Sequence, residues 1–335
     1  GAGAMGSAFS VPCVDNNNEV SLIGTFLENE LIRSLKANNN FHPALKINLP
    51  KQLIIERHDN LSKIIDNGVD VIVAGISSIG IEWFANEISK FYKNKTSIII
   101  LTKGLAVEDD QLITLSEKLE NILKKNGHKI ANISSVKGPC LATGLAHKMR
   151  TGTVIANQNL KQAQKIQKLI STEYYKSEIT DDISGVEFSA AIKNIYSMLI
   201  GAAEGLSNPS APAEIQEKFY LNTSASLVHR SISEMVEFVS YYSGRVETVY
   251  GLAGLGDLHV SVAGGRNSLM GKYLGQGYLY KDAKENFMKE ITVEGAQLAF
   301  EIEPKIMKNF KEKQFPLMFS ILKCICYNKK LEINW

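Results

Sequence analysis

Within "GVEFSAAIKNIYSMLIGAAEG", Gly185 to Gly205, Lys193 and Asn194 stand side by side in a segment that is apolar on most sides, with Ser197 one turn beyond Lys193. A bare ammonium is costly to bury without partners. Two readings fit. The stem snorkels and the head reaches a solvated edge, or the lysine sits in a cleft where desolvation and neighbouring cations lower its pKa, so that it exchanges a proton with a substrate oxygen. A second chemistry-bearing stretch opens the chain: "GAGAMG", Gly1 to Gly6. In G-x-G-x-x-G the first glycine makes a tight turn, the second admits a pyrophosphate to the backbone, and the third lets helix and strand pack closely. The pattern requires a buried strand before it, and a glycine run at a terminus is also what a tag remnant leaves.

The elements around these residues decide between the readings. "VDVIVAGI" at 69–76 and "SIIIL" at 97–101 are near-continuous apolar runs, with weaker strands near Lys129–Ile133 and Thr153–Ala156. Runs apolar on both faces suit buried parallel strands. Helical patterns lie between them at 78–92 and 109–125, the second opened by Asp109 and Asp110, which suit a helix start. This is β-α-β alternation. With a helix-length segment and the apolar "EVSLIG" at 19–24 after it, the glycine loop has the context of a dinucleotide site, and its first strand is expected to be missing from this chain. Pro12 falls inside the expected first helix, at a cost of about 3 kcal/mol unless the helix bends or is short. Lys103 in "LTKG" follows the run 97–101, at the carboxyl edge of the sheet, where open α/β folds bind ligands. After about residue 182 the strands fade, and helical segments at 186–206, 223–240, 293–310 and 316–328 take over. Two domains follow: residues 1–182 dinucleotide-binding, 183–335 helical and substrate-binding.

The bulk properties are ordinary. The chain has 335 residues, 44% hydrophobic and 21% charged, enough for sizeable cores. A formal net charge of +2 argues against nucleic-acid and membrane-surface partners while leaving room for a local basic pocket. Cys13, Cys140, Cys324 and Cys326 form no zinc-type or redox pair, which favours a reducing cytoplasm, and there is no membrane span. His42, His58, His128, His147, His229 and His259 show no ligand spacing, and no metal is expected.

The ordered set "LTKG" (101–104), "KGP" (137–139), "GVE" (185–187), "IKN" (192–194), "GLGDL" (254–258), "GGRN" (264–267) and "VEG" (293–295) resembles the NAD(P)-dependent glycerol-3-phosphate dehydrogenase family along essentially the whole chain. So does "NNFHPALKINLP" at 39–50. The resemblance implies a Rossmann-type α/β parallel-sheet domain and an all-α domain like the C-terminal part of 6-phosphogluconate dehydrogenase. It implies reversible reduction of dihydroxyacetone phosphate to sn-glycerol 3-phosphate, linking glycolysis to glycerophospholipid synthesis.

Carried over residue by residue, the resemblance makes Lys193 the acid/base, Lys103 a second active-site lysine, and Asp257 a polar partner that orients a lysine or a substrate hydroxyl. Taken alone, Lys103 reads as a solvated loop lysine and Asp257 as a helix N-cap. "GGRN" reads alone as a plain turn; in the family frame Gly265, Arg266 and Asn267 offer backbone N–H groups, a planar fork and an amide to the substrate's phosphate. Gly138 and Asn194 complete the implied substrate set. The implied cofactor set is Gly1, Gly3, Ala4, Met5, Gly6, Lys103, Ala142, Arg266 and Glu294, holding NAD or NADP. A phosphorylated triose is the implied substrate, and a homodimer the candidate assembly.

This chain also departs from the family pattern. Cys140 replaces a hydroxyl or amide residue, "GISS" at 75–78 and "LATGLAHKMRTG" at 141–152 are unusual, and the stretch from Gly205 to Asn222, with Pro209 and Pro212, looks long. "EVSLIGTFLENE" lacks a ribose-reading acid or arginine at the end of its strand; Thr25 is the residue available to a ribose hydroxyl, which tips the balance toward NAD. Two other functions fit the fold: a related hydroxyacid or phosphogluconate-type dehydrogenase, against which "GGRN" speaks, and a non-catalytic dinucleotide sensor, against which Lys103, Lys193, Asp257 and Arg266 speak.

Overall fold

The computed structural model describes every residue except Asn94, Ile130, Ala131, Asn208, Pro209, Ala211, Asn334 and Trp335. The chain divides into two compact units, Gly1–Lys103 with Thr114–Ile183, and Gly104–Ile113 with Ser184–Trp335. The described strands are β1 Ser21–Ile23, β2 Phe41–His42, β3 Ile47–Asn48, β4 Ile54–Glu56, β5 Val71–Ala74, β6 Ser97–Ile100, β7 Leu105–Glu108, β8 Gln111–Thr114, β9 Asn132–Lys137, β10 Thr151–Ala156 and β11 Tyr175–Thr180. Part of the weak strand expected near Lys129–Ile133, and Pro209 of the long connecting segment, lie outside the described residues. Among the described residues no helix is long and apolar enough to cross a membrane.

The first unit is built on a sheet of order β11-β10-β9-β6-β5. Strands β5, β6 and β9 run parallel, β10 is antiparallel to β9, and β11 returns parallel to β10. Ile98, Ile99 and Ile100 of β6 are all buried, as a strand covered on both faces must be. Strand β11 escapes the sequence reading because it is an edge strand whose burial is partial from Lys176 onward. Strands β1 and β4 form a separate parallel pair, Ser21 opposite Ile54. Ser21–Ile23 of β1 and Val71–Val73 of β5 line one cavity of about 890 Å³, which Gly1, Gly6 and Phe9 also border. The helix Ala4–Asp15 runs unbroken through Pro12, whose ring is buried.

One expectation needs correction. Asp109 and Asp110 do not start a helix; they are the turn of a β7–β8 hairpin, with φ of 48° and 59°. Consecutive left-handed residues are what a two-residue hairpin turn demands, and aspartate tolerates them. The helix Leu115–Lys125 instead begins at Thr114, whose hydroxyl accepts from Glu117 N (3.1 Å) while Glu117 Oε2 accepts from Thr114 N (2.7 Å). Gly104–Ile113, assigned by the sequence reading to the first domain, packs with the second: Leu105 and Leu112 join its core, and Asp110 pairs with Lys305 (3.2 Å) and Lys308 (2.5 Å).

The second unit is helical and centres on the lysine helix Ile183–Gly201, in which every residue from Gly185 to Ile200 is buried. Its neighbours Arg266–Gly275 and Glu294–Asn309 come close enough at two glycines for backbone to meet backbone. A Cβ on Gly271 would lie 1.8 Å from the Met198 carbonyl oxygen, and one on Gly295 would lie 2.5 Å from that of Asn194. Around this clasp the Leu221–Tyr241 helix supplies Glu234, whose carboxylate accepts from Leu317 N (2.7 Å), Met318 N (3.0 Å) and the Tyr196 hydroxyl (3.0 Å). It thereby caps the last helix, Pro316–Cys326. Burial raises the Glu234 pKa, and these three donors oppose that rise.

Candidate active site

In the first unit, Gly1–Gly6 fold into a turn pressed against the residue that follows β5. A Cβ on Gly1 would lie 2.4 Å from the Gly75 carbonyl oxygen, and one on Gly6 would lie 2.2 Å from that of Gly1, so only glycine fits at either position. Gly3 is the N-cap of the Ala4–Asp15 helix and no side chain caps it, so Ala4 and Met5 present first-turn N–H groups at the positive end of a helix dipole. Ala2 is fixed from two sides. Its N–H donates to Glu28 Oε2 (2.9 Å), and its carbonyl accepts from the Ser7 hydroxyl (2.8 Å). Glycines that only backbone can approach, beside uncapped N–H groups, fit the pyrophosphate of a dinucleotide.

The same unit holds the lysine loop. Lys103 is half-buried, with Nζ 3.4 Å from the Gly138 carbonyl oxygen. Gly138 has φ 143°, and a Cβ there would meet Thr153 Cα at 3.1 Å. Ala142 opens the short helix Ala142–Ala146, and Cys140 N–H donates back to Gly138 O at 2.8 Å. Lys137, beside Gly138, is buried and serves the sheet, donating to Ile100 O (3.0 Å) and Ser135 Oγ (2.6 Å).

The second unit brings together residues far apart in sequence. A π-helical turn, Leu252–Gly256, delivers Asp257 to the start of the helix Asp257–Val262. Lys193 Nζ donates to Asp257 Oδ1 at 2.9 Å and to the Ser261 hydroxyl, with both charged side chains almost fully buried. Within this unit Asp257 sets an anion beside Lys193, and a carboxylate favours the ammonium, the form that can give up a proton. Ser197, one turn on, does not serve the lysine; it donates to Asn194 O at 2.9 Å. Ser261 escaped the sequence reading. Its signal was present, because four residues after Asp257 on one helix is the same face.

A second chain of contacts runs alongside. Asn267 Nδ2 donates to Asn194 Oδ1 (3.0 Å), and Asn267 Oδ1 accepts from Gly295 N (2.9 Å). Gly265 is the uncapped N-cap of Arg266–Gly275, with its N–H on Ser261 O at 3.1 Å. Arg266 Nη2 pairs with Glu294 Oε1 at 2.8 Å, both side chains about half exposed. Lys193, Asp257, Asn194, Asn267, Arg266 and Glu294 therefore line up from one buried pair to one exposed pair within the second unit. Lys103, Gly138, Ala142 and the glycine loop belong to the first.

Residues 1–163 match the model of the NAD-dependent glycerol-3-phosphate dehydrogenase N-terminus, and residues 182–333 match that of its C-terminus. The chain belongs to this family. The NADP(+)-dependent glycerol-3-phosphate dehydrogenase of Archaeoglobus fulgidus is 32% identical over 99% of this chain and 95% of its own length. The glycerol-3-phosphate dehydrogenase [NAD(P)+] of Mesoplasma florum is 28% identical over 97% and 93%. Among solved structures, glycerol-3-phosphate dehydrogenase from Coxiella burnetii superposes with a TM-score of 0.81 at 25% identity, over 98% of this chain and 94% of that one. As in the family, a sheet domain of mainly parallel strands is joined to a helical one. NAD(P)-dependent oxidoreduction is the family's chemistry.

Proposed function

We propose that the chain catalyses the reversible NAD(P)H-dependent reduction of dihydroxyacetone phosphate to sn-glycerol 3-phosphate. The observation that carries the reading is the Lys193 ammonium, held by Asp257 and Ser261 inside an apolar helix. A nicotinamide cofactor supplies the hydride when bound at the glycine loop, where Gly1, Gly3, Ala4, Met5 and Gly6 would hold its pyrophosphate. Lys193 donates the proton that the ketone oxygen needs as it becomes an alcohol, and recovers it in the reverse direction. Asp257 keeps the lysine charged and aimed, and Ser261 fixes the second of its three N–H directions. Lys103 is the second lysine of the same reaction.

The triose phosphate is assigned to Gly265, Arg266 and Asn267. An exposed ion pair is worth about 0–1 kcal/mol, so a dianion offering Arg266 two parallel hydrogen bonds outcompetes Glu294. Asn267 is held by Asn194 and Gly295 and presents its backbone at the uncapped helix start. Four free cysteines support a cytoplasmic setting for this chemistry. The test is oxidation of NADH and NADPH with dihydroxyacetone phosphate against unphosphorylated dihydroxyacetone. Turnover that depends on the phosphate is expected; equal rates with both substrates, or none with either, would overturn the reading.

A further inference from the structure

The helix Tyr280–Phe287 ends in an arrangement that no local pattern announces. Lys284 sends its ammonium past the end of that helix, where Nζ donates to Met288 O (2.6 Å), Lys289 O (2.8 Å) and Ile291 O (2.9 Å). An ammonium has three N–H donors, and all three meet carbonyls of one short turn. The turn itself closes on Ile291 N–H to Met288 O at 3.0 Å. A lysine near a helix C-terminus is favoured by the dipole and by the last carbonyls, yet Lys289 and Ile291 lie beyond the C-cap, which is Met288. Lys284 therefore does more than cap its own helix; it gathers the segment that follows. Met288 and Val293 are buried at the two ends of that segment, with Lys289, Glu290 and Thr292 exposed between them.

This segment leads directly into the candidate site. Val293 is the N-cap of the helix Glu294–Asn309. Glu294 Oε1 then holds Arg266 Nη2 at 2.8 Å, and Gly295 N–H donates to Asn267 Oδ1 at 2.9 Å. Asn267 in turn reaches Asn194 at 3.0 Å. The ammonium of Lys284 is thus joined to Arg266 and Asn267 through one turn and one helix start. Converging carbonyls are how proteins hold a bare monovalent cation; here the chain supplies the cation from its own side chain.

We infer that Lys284 is a positioning residue for the substrate's phosphate: its ammonium fastens the turn Met288–Ile291, so that Glu294 and Gly295 hold Arg266 and Asn267 where a phosphate meets them. The inference rests on the reading above that assigns the phosphate to Gly265, Arg266 and Asn267. It adds a residue that touches neither substrate nor cofactor.

The experiment is steady-state kinetics of the whole chain with NADH and dihydroxyacetone phosphate, with melting curves on each variant. Lys284→Met keeps an apolar stem and loses the head; it should raise KM for dihydroxyacetone phosphate by about tenfold, the scale of one charge-assisted hydrogen bond. Its kcat should stay close to that of the unsubstituted chain, because Lys193 and its partners are untouched, and its melting temperature should scarcely move. Lys284→Ala opens a slot the size of the missing side chain. Added n-propylammonium should lower the raised KM of that variant, whereas tetramethylammonium, which has the charge but no N–H, should not. A Met variant with an unchanged KM, one that loses stability alone, or an Ala variant that both amines or neither corrects would overturn the inference. Absence of turnover in the unsubstituted chain would overturn the phosphate reading and this inference with it, a result distinct from a Lys284 that proves silent in an active enzyme.

Discussion

The Lys193 ammonium and the Asp257 carboxylate meet at 2.9 Å although 64 positions separate them, and each is almost wholly withdrawn from water. A buried pair is costly to assemble and more costly to break, since removing one partner strands the other charge. Such a pair is therefore poor evidence for stability by itself. It is better evidence that a charged lysine is needed at that point in the helix.

Replacing Lys193 with alanine should lower kcat by about 100-fold or more, the scale of a lost general acid, while NADH binding stays nearly intact. Steady-state kinetics beside a cofactor titration checks both halves. Near-normal turnover would remove Lys193 from the chemistry.

For Asp257→Ala the expected loss of stability is about 3–5 kcal/mol, because Lys193 keeps its burial and loses its anion. The double replacement Lys193→Met with Asp257→Leu should recover most of that loss in denaturant melts yet stay inactive. A double variant as unstable as Asp257→Ala would mean that packing, not charge, dominates the site.

Arg266→Lys keeps the charge and loses the fork that matches phosphate. The expected outcome is a raised KM for dihydroxyacetone phosphate, with some loss of kcat because remote binding energy also aligns the carbonyl. The weak activity on unphosphorylated dihydroxyacetone should scarcely change. If both substrates suffer equally, Arg266 acts on cofactor or fold instead.

Glu234 gives the fold a pH dependence of definite sign. Its folded pKa is raised above the ordinary 4.5 by burial, so its contribution is fully present below that value and is lost as pH rises through the raised one. Urea melts at increasing pH should therefore show the stability of the unsubstituted chain falling relative to Glu234→Gln. A difference that stays constant with pH would refute this.

Much of this was legible in the sequence, for identifiable reasons. Lys193 announces itself because a charge inside an apolar helix has few innocent explanations, and the isoleucines of β6 because strands covered on both faces leave uninterrupted apolar runs. What stayed hidden was set by distance or by ambiguous local chemistry. The Lys193–Asp257 contact is fixed by how helices pack, not by any local pattern. The tie that Glu28 makes to Ala2 and Thr25 stayed hidden because a short turn, not the strand itself, carries the side chain back to the glycine loop. Asp109 and Asp110 suit both the first turn of a helix and the left-handed turn of a hairpin, and tertiary pairing with Lys305 and Lys308 accompanies the second outcome. Strand β11 has no continuous apolar face to advertise it.

The backbone clasp around the lysine helix has a genetic consequence. At Gly271 and Gly295 the neighbouring carbonyls stand where any side chain would begin. Every missense change reachable from a glycine codon adds at least a Cβ, so neither position has a mild allele available to it. Damage there would arrive as displacement of the helix that carries Lys193 and Asn194, with every reacting group still spelled correctly in the gene.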